Sequence, residues 1–426
     1  MNEKTIELLT ERLVSRINKA NEYFLIKIGE NIKKIRELTP TQAQQLVQIL
    51  KYGNNYQEII NEISRLTNLN IQDIDAIFNE MAKKDYAFAE QFYKYRGIDF
   101  VPYSQNKALL RQVRALASIT KQEMYNYARA TNLGYSIRDL QGNVKFVGLR
   151  ETYNRVLDEA VLNVGTGVDT FDNAMNKIMK DIGGNGLKTI DYASGRSVRL
   201  DSTVRMHLKG ALRNLHNEVQ KQVGEEFGYN MIEVSHHSNS APDHIDSIDG
   251  KQFAMIDILK KQIENGEEKN IKINDIDFKN NRVKVKGKWY YDFNYINDNL
   301  ERKVSTLNCF HYTFSGILGI TQPEFSKKEL EEDKENNLKG CEIDGKHYTL
   351  YEAQELMRNL ELNIRKEKDI QILGKESKNK KVVEEAQSKI TQLTNKYKEV
   401  SKISGLPVKM ERLKVTQYRR INTNKL

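Results

Sequence analysis

The sequence predicts an α+β fold that is mainly helical: a helical N-terminal region over 1–150, a small mixed α+β core over 151–325, and a charged helical C-terminal hairpin with a basic tail over 326–426. The expectation rests on apolar residues that recur every three or four positions along most of the chain, the period of a helix face. It rests also on a few short stretches that alternate or run apolar between turn residues, and on the return of charged helical patterning after Pro323.

Leu9, Leu13, Ile17, Ala20, Phe24, Ile28, Ile32 and Ile35 fall on one stripe, so the chain opens with a long amphipathic helix. Thr39 before Pro40 is a cap with proline at the first helical position, and the helix it opens should stop at Gly53. Two short helices follow. Ser104 is placed to cap a longer one, in which Leu109, Leu110, Val113, Leu116, Ala117 and Met124 form the apolar face beside Arg111, Arg114 and Lys121. That basic side could meet DNA phosphates, although a charged face that is simply solvated is the plainer reading. Around Gln141-Gly142-Asn143 a turn joins two short strands, Tyr135 to Arg138 and Lys145 to Gly148.

Helical patterning resumes at Glu151 and ends near Val164 at Gly165-Thr166-Gly167. With no preceding strand and no fingerprint spacing, these glycines are a helix stop and not a phosphate cradle. Asp169 should cap the next helix, which buries Phe171, Met175 and Ile178 and ends at Gly183-Gly184-Asn185-Gly186. Leu187 to Ser202 reads as a loop. From Asp201 or Ser202 a helix bearing Val204, Leu208, Ala211, Leu212, Leu215, Val219 and Val223 leads to an apolar strand at Met231, Ile232 and Val234. Ser238-Asn239-Ser240-Ala241-Pro242 then breaks the chain into a turn.

Downstream, Arg282 to Lys286 alternates and turns at Gly287 into Trp289 to Tyr291, a surface hairpin with one face buried. Lys327 to Lys339 is crowded with charge and reads as a linker. Tyr351 to Lys368 and Lys381 to Ser401 read as two charged helices forming an antiparallel pair, and the tail after Val415, with Arg419, Arg420 and Lys425, is expected to fray.

Composition narrows the class. A chain of 426 residues that is 39% hydrophobic can fill a real core and is not wholly disordered. A formal charge of +9 suits work near a polyanion, and a mixed solvated surface explains it as well. Two cysteines, Cys309 and Cys341, are too few for a disulfide scaffold, which points to a reducing compartment. The N-terminus carries acids early and has no apolar block, and no segment is long and apolar enough to span a membrane. The expectation is a soluble protein made in a cytoplasm.

Most of the unusual chemistry lies in Met231 to Gly250 and in Asn308 to His311, which hold His236, His237, His244, Cys309 and His311. His237, His244, Cys309 and His311 are the right types to ligate zinc, but their spacing matches no standard zinc module. Cys309 could instead be a nucleophile with a histidine base, given a lowered thiol pKa and an exposed site. The plainest reading is that these side chains hydrogen-bond one another and hold an irregular loop together. All three readings stand on the residues alone.

Ser235, His237, Pro242, His244 and Gly250, followed by Asn308, Cys309 and His311, resemble the signature of the minor capsid and head-morphogenesis proteins of tailed bacteriophages, the minor capsid protein 2 and Mu F-like group. A second block, Tyr351-Glu352-Ala353-Gln354 with Arg358, Leu360, Glu361, Ile364, Arg365 and Lys368, is similar to the family's C-terminal part. A third follows in Tyr397, Ser401, Gly405-Leu406 and Glu411-Arg412, and Tyr192 with Gly195-Arg196 resembles the segment before the histidine motif. The resemblance covers Glu151 to Val415. It departs at Asn239-Ser240-Ala241, where the family has Gly-Ala-Arg, at Ile248-Asp249-Gly250 in place of Trp-Gln-Gly with one extra residue between, at Phe310 in place of an arginine, and near Lys209-Gly210, where an Arg-Thr pair is expected.

The resemblance implies a structural virion protein acting in head assembly, located in the phage head near the portal after synthesis in the bacterial host cytoplasm. Its implied partners are the portal protein, capsid or scaffold proteins and non-specific double-stranded DNA, with no membrane. The helical N-terminal region would be the portal-docking arm. No catalytic or cofactor-binding residue is assigned, zinc being the one cofactor the residues suggest, and Ser235, Pro242, Gly250 and Asn308 are structural motif positions. The Mu F-like core is similar to the ADP-ribosyltransferase fold, but the missing arginines speak against NAD chemistry. The alternatives are an enzyme on that transferase-like or a metal-dependent core, and a sequence-independent DNA-binding morphogenesis factor.

Overall fold

The computed structural model describes residues 3–90, 93–94, 97–139, 141–191, 193–237, 239–306, 309 and 311–420; Tyr192, Asn308 and Phe310 lie outside the described residues. Helix accounts for 64% of the described residues and the sheets are small and antiparallel, the mainly helical α+β class that the periodicity predicts. Helix α1 (Glu3–Arg36) buries its whole predicted stripe from Leu9 to Ile35. Helix α2 (Pro40–Tyr52) starts on a Thr39 capping box and stops at Gly53. Helices α3 (Asn55–Ile71) and α4 (Ile74–Phe88) follow. Helix α5 (Lys107–Ala128) starts later than Ser104 suggests, because the Asn106 side chain accepts the Leu109 N–H at 3.0 Å and takes the capping role.

Strands β1 (Leu133–Arg138) and β2 (Val144–Gly148) pair antiparallel across the predicted turn, and α6 (Leu149–Asn163) ends before the glycines as expected. In α7 (Val168–Asn185) Phe171 and Met175 are buried as expected, but Ile178 is only half-buried and Met179 takes its core position, and two further expectations fail. Asp169 lies inside the first turn and Gly167 occupies the cap position, while Gly183 and Gly184 continue the helix. Gly183 is a packing residue: a β-carbon there would come within 2.8 Å of the Ile370 backbone, so the stop falls to Gly186 at φ 63°. The expected loop from Leu187 holds β3 (Lys188–Ile190) and β4 (Ser197–Arg199), which complete a four-stranded sheet of order β2-β1-β3-β4. Strands this short carry no readable alternation.

Helix α8 (Leu200–Phe227) leads into β5 (Met231–Val234), and α9 (Pro242–Ile245), β6 (Gln252–Ala254) and α10 (Ile256–Glu264) follow. Strands β7 (Ile276–Asp277), β8 (Arg282–Val285) and β9 (Lys288–Tyr291) form the predicted surface hairpin with one added strand; Val283 and Val285 are buried while Lys284 between them is exposed. After α11 (Phe293–Asp298) comes β10 (Thr313–Gly316). The expected linker is a helix, α12 (Lys327–Lys339), started by a Ser326 capping box with Glu329. A short hairpin, β11 (Cys341–Ile343) and β12 (Lys346–Tyr348), precedes α13 (Leu350–Glu376) and α14 (Lys380–Ser404).

These elements belong to two compact units, each drawn from separated stretches of chain. One takes in Glu7–Ile74, Lys121–Arg205 and Glu355–Leu426. Within it α13 and α14 run antiparallel, with Tyr397 donating to Glu361 at 2.8 Å and Gln371 donating to Gln387 at 2.9 Å. Its interior holds a charge network: Arg199 meets Asp201 at 3.1 Å and Asp369 at 3.0 Å, and Arg365 meets the other oxygen of Asp201 at 3.1 Å. Burial alone would raise the Asp201 carboxyl, but Arg199 and Arg365 outweigh it and hold the group far below the usual carboxylate range. The buried Glu22 carboxylate accepts the Thr416 and Gln417 N–H groups at 2.8 and 2.9 Å, so the start of the expected frayed tail is docked.

The other unit takes in Asp75–Thr120 and Met206–Gln354 besides the first few residues. Its sheet of order β10-β5-β6 shares a core with the β7-β8-β9 sheet through Met231, Ala254, Ile256, Leu259, Val283, Val285 and Leu318. The histidine and cysteine residues belong to this unit.

Asp201→Ala is predicted to destabilise the protein by about 3–5 kcal/mol, because it leaves two buried guanidinium groups short of their shared counter-charge. Urea unfolding followed by circular dichroism checks this; a loss below about 1 kcal/mol would mean that the network is not the buried pairing described.

Candidate functional site

Strand pairing brings the two halves of the motif together. β5 and β10 are antiparallel with Val234 opposite Thr313, so the residues after β5 and those before β10 leave the sheet at the same end. Ser235 fastens that corner: its N–H donates to the Tyr312 carbonyl at 2.9 Å and its hydroxyl accepts the Tyr312 N–H at 3.1 Å. The chain from Ser235 to Lys251 is the connection between β5 and β6, and Pro242 opens the short α9 that carries His244. Gly250 closes the connection at φ 65°, where a β-carbon would strike the Leu330 side chain of α12.

Asp249 organises this connection. One of its oxygens accepts the His237 N–H at 2.9 Å, the Ser240 hydroxyl at 2.7 Å and the His311 Nε2–H at 2.8 Å; the other accepts the His236 Nδ1–H at 2.6 Å. Burial would raise this carboxyl, but the donors around it hold it well below the ordinary carboxylate value. The second nitrogen of His236 meets Asp333 of α12 at 2.7 Å. Burial opposes the charged imidazole, yet hydrogen bonds to both carboxylates prevail and raise the His236 pKa. Helix α12 also supplies Asn337, whose amide donates to the Ser240 carbonyl at 3.3 Å. The expected linker is thus a wall of the site.

His244, Cys309 and His311 converge behind Asp249. The two Nδ1 atoms lie 3.2 Å apart, and the Cys309 Sγ is 3.9 Å from that of His244 and 3.7 Å from that of His311. The outward nitrogens are held by protein acceptors, His244 Nε2 by the Arg302 carbonyl at 2.6 Å and His311 Nε2 by Asp249. Burial would push the Cys309 thiol up, but the contacts with His244 and His311 bring it down to about 5. The His311 pKa is raised, burial being outweighed by Asp249 and Cys309.

Of the expected zinc ligands, therefore, the structure gathers His244, Cys309 and His311, whose ligand atoms all lie within 4.8 Å of one another. His237 is directed elsewhere, its Nε2 lying 3.4 Å from the Ser235 hydroxyl. Ser235, Pro242 and Gly250 shape the backbone around the cluster, and Asn308 lies outside the described residues. Sequence reasoning read Ser240 only as part of the turn and gave no site role to Asp249, Arg302, Asp333 or His216. Buried His216 on α8 bridges Asp85 at 2.9 Å and the Thr313 carbonyl at 3.0 Å, fixing the start of β10. The one local signal available was Ser326-x-x-Glu329, a capping box that announces α12.

A mainly helical α+β protein whose strand-turn-histidine element closes on a later cysteine and histidine is the class of phage structural protein that the motif implies. Comparison with known families establishes it: the model of phage minor capsid protein 2 matches residues 1–400, and the chain belongs to that family. The protein is accordingly a structural component of a phage virion. The match takes in the helical first third, which the resemblance seen in the sequence left out. No curated protein and no solved structure matches the chain significantly.

The His236 bridge gives a pH dependence of defined sign. Because the folded state raises this pKa above the ordinary value of 6.5, the bridge contributes fully below that value and its contribution is lost as pH rises through the folded pKa. Asp333→Asn is predicted to cost about 1 kcal/mol or less near pH 6, its side chain being 39% exposed and screened by solvent, and to cost progressively less as pH rises through the folded His236 pKa. Thermal unfolding of both proteins across that range checks the sign; a larger cost at alkaline pH would contradict it.

Proposed function

We propose that this minor capsid protein acts in head assembly at the portal, using its helical N-terminal region as the docking surface, with packaged DNA as a secondary, sequence-independent contact. The observation that carries the structural reading over the enzymatic one is the burial of the reactive cluster: His244, Cys309 and His311 are 1%, 2% and 2% exposed. A catalytic thiol or imidazole needs a face toward its substrate, whereas the outer ring nitrogens of these histidines are engaged by protein acceptors. The lowered Cys309 thiol is the feature an enzyme would share, and its burial argues against that use. Clefts of ≈ 580 Å³ and ≈ 570 Å³ are lined by other residues, among them Lys284, Lys286 and Leu318 in the first and Tyr56, Leu149 and Arg150 in the second.

Support for docking through the N-terminal helices comes from Ile49 and Tyr52, which lie one turn apart on α2 and are 61% and 82% exposed. Support for a DNA contact is weaker: a net charge of +9, and Arg111 and Arg114 exposed on α5. The test uses the full chain, because removing the N-terminal region would take Glu11 from Arg205 and Glu22 from the docked tail. Co-expression with the portal protein of the same phage is expected to give a complex that survives size exclusion. The double substitution Ile49→Glu with Tyr52→Glu should weaken it roughly tenfold or more without unfolding the protein. A full-length protein that forms no complex would contradict the portal reading.

A further inference from the structure

We infer that Nδ1 of His244, Sγ of Cys309 and Nδ1 of His311 are three ligands of a tetrahedral transition-metal site of the kind filled by zinc. The inference is independent of the portal reading and rests on geometry that a hydrogen-bonded loop alone does not explain. Zinc bonds of about 2.0–2.1 Å to nitrogen and about 2.3 Å to sulfur, set at tetrahedral angles, put two nitrogens about 3.3 Å apart and each about 3.6 Å from the sulfur. The observed separations are 3.2 Å between the nitrogens and 3.7 and 3.9 Å to the sulfur.

The tautomers agree. A carbonyl oxygen only accepts, so His244 Nε2, 2.6 Å from the Arg302 carbonyl, carries its ring hydrogen there. The Asp249 carboxylate likewise takes the hydrogen of His311 Nε2 at 2.8 Å. Each neutral ring then presents a bare Nδ1 lone pair toward the other across 3.2 Å, in a buried place where such a pairing is repulsive. A cation between them removes the repulsion. The carboxylate–histidine arrangement at His311 is also the outer support that metal-binding imidazoles use, and it assigns Asp249 as a positioning residue. Two imidazoles and a thiolate favour zinc-like ions over magnesium or calcium.

A shared proton is the competing occupant, since a thiolate beside an imidazolium also relieves the repulsion. It would draw one nitrogen and the sulfur together, whereas the three separations suit a central ion about equally distant from all. Bound metal would fasten the β5–β6 connection to the segment before β10 and stabilise the folded state by its binding free energy.

The test is elemental analysis of the full-length protein purified without chelator, followed by metal removal and titration with cobalt(II). About one zinc per chain is expected, and cobalt should give a thiolate-to-metal charge-transfer band with the visible bands of tetrahedral coordination. Both should vanish in Cys309→Ser and persist in Cys341→Ser, whose thiol lies in the β11–β12 hairpin. Asp249→Asn should weaken cobalt roughly 10–100-fold. If Cys309→Ser does not fold, the wild-type titration decides alone. A wild-type protein that carries no zinc and shows no thiolate–cobalt band overturns the inference, as does a band that survives Cys309→Ser.

Discussion

The Asp249 carboxylate is the interaction on which the motif region depends. The connection from β5 to β6 has little regular structure to satisfy its polar groups, and a buried carboxylate supplies acceptors for the side chains of His236, Ser240 and His311 and for the backbone of His237. A buried charge is costly unless donors surround it, so the carboxylate and the turn impose conditions on each other. The carboxylate fixes which nitrogen of His311 faces inward, and that ring in turn fixes where Cys309 and His244 meet it.

The same logic operates in the other unit through a different pair of charges. Asp201 stands at the start of α8 between Arg199 and Arg365, joining the β3–β4 hairpin to α13. In both units residues far apart in sequence are committed to one arrangement by buried, mutually satisfied polar groups, whereas apolar stripes such as that of α1 supply most of the burial. Apolar packing tolerates sliding; a bidentate carboxylate does not. This division suits a protein that works as a fixed part of an assembly.

Much of this was legible in the sequence, for physical reasons that differ by element. The stripe of α1, the Thr39–Pro40 start of α2, the β1–β2 turn and the β8–β9 alternation are local signals, and the structure follows them. Gly183 looked like a stop because the close approach of Ile370 is invisible to a local reading. The charge of Lys327 to Lys339 hid a helix whose function lies in three inward residues, Leu330, Asp333 and Asn337, against Gly250, His236 and Ser240. Among the site residues, types and approximate place could be read, but the exclusion of His237 and the importance of Asp249 depend on the register of β5 with β10. Register is a long-range property.

The measurement that tests the account most directly is long-range nitrogen–proton correlation spectroscopy of the full-length protein labelled at its histidines. The account predicts that His244 and His311 each carry hydrogen on Nε2, held by the Arg302 carbonyl and by Asp249, with no hydrogen on either Nδ1. Loss of the His311 pattern in Asp249→Asn would tie it to the carboxylate. A hydrogen on Nδ1 of His311 with Nε2 bare would contradict the inward-facing pair, and with it the claim that this buried carboxylate orders the site.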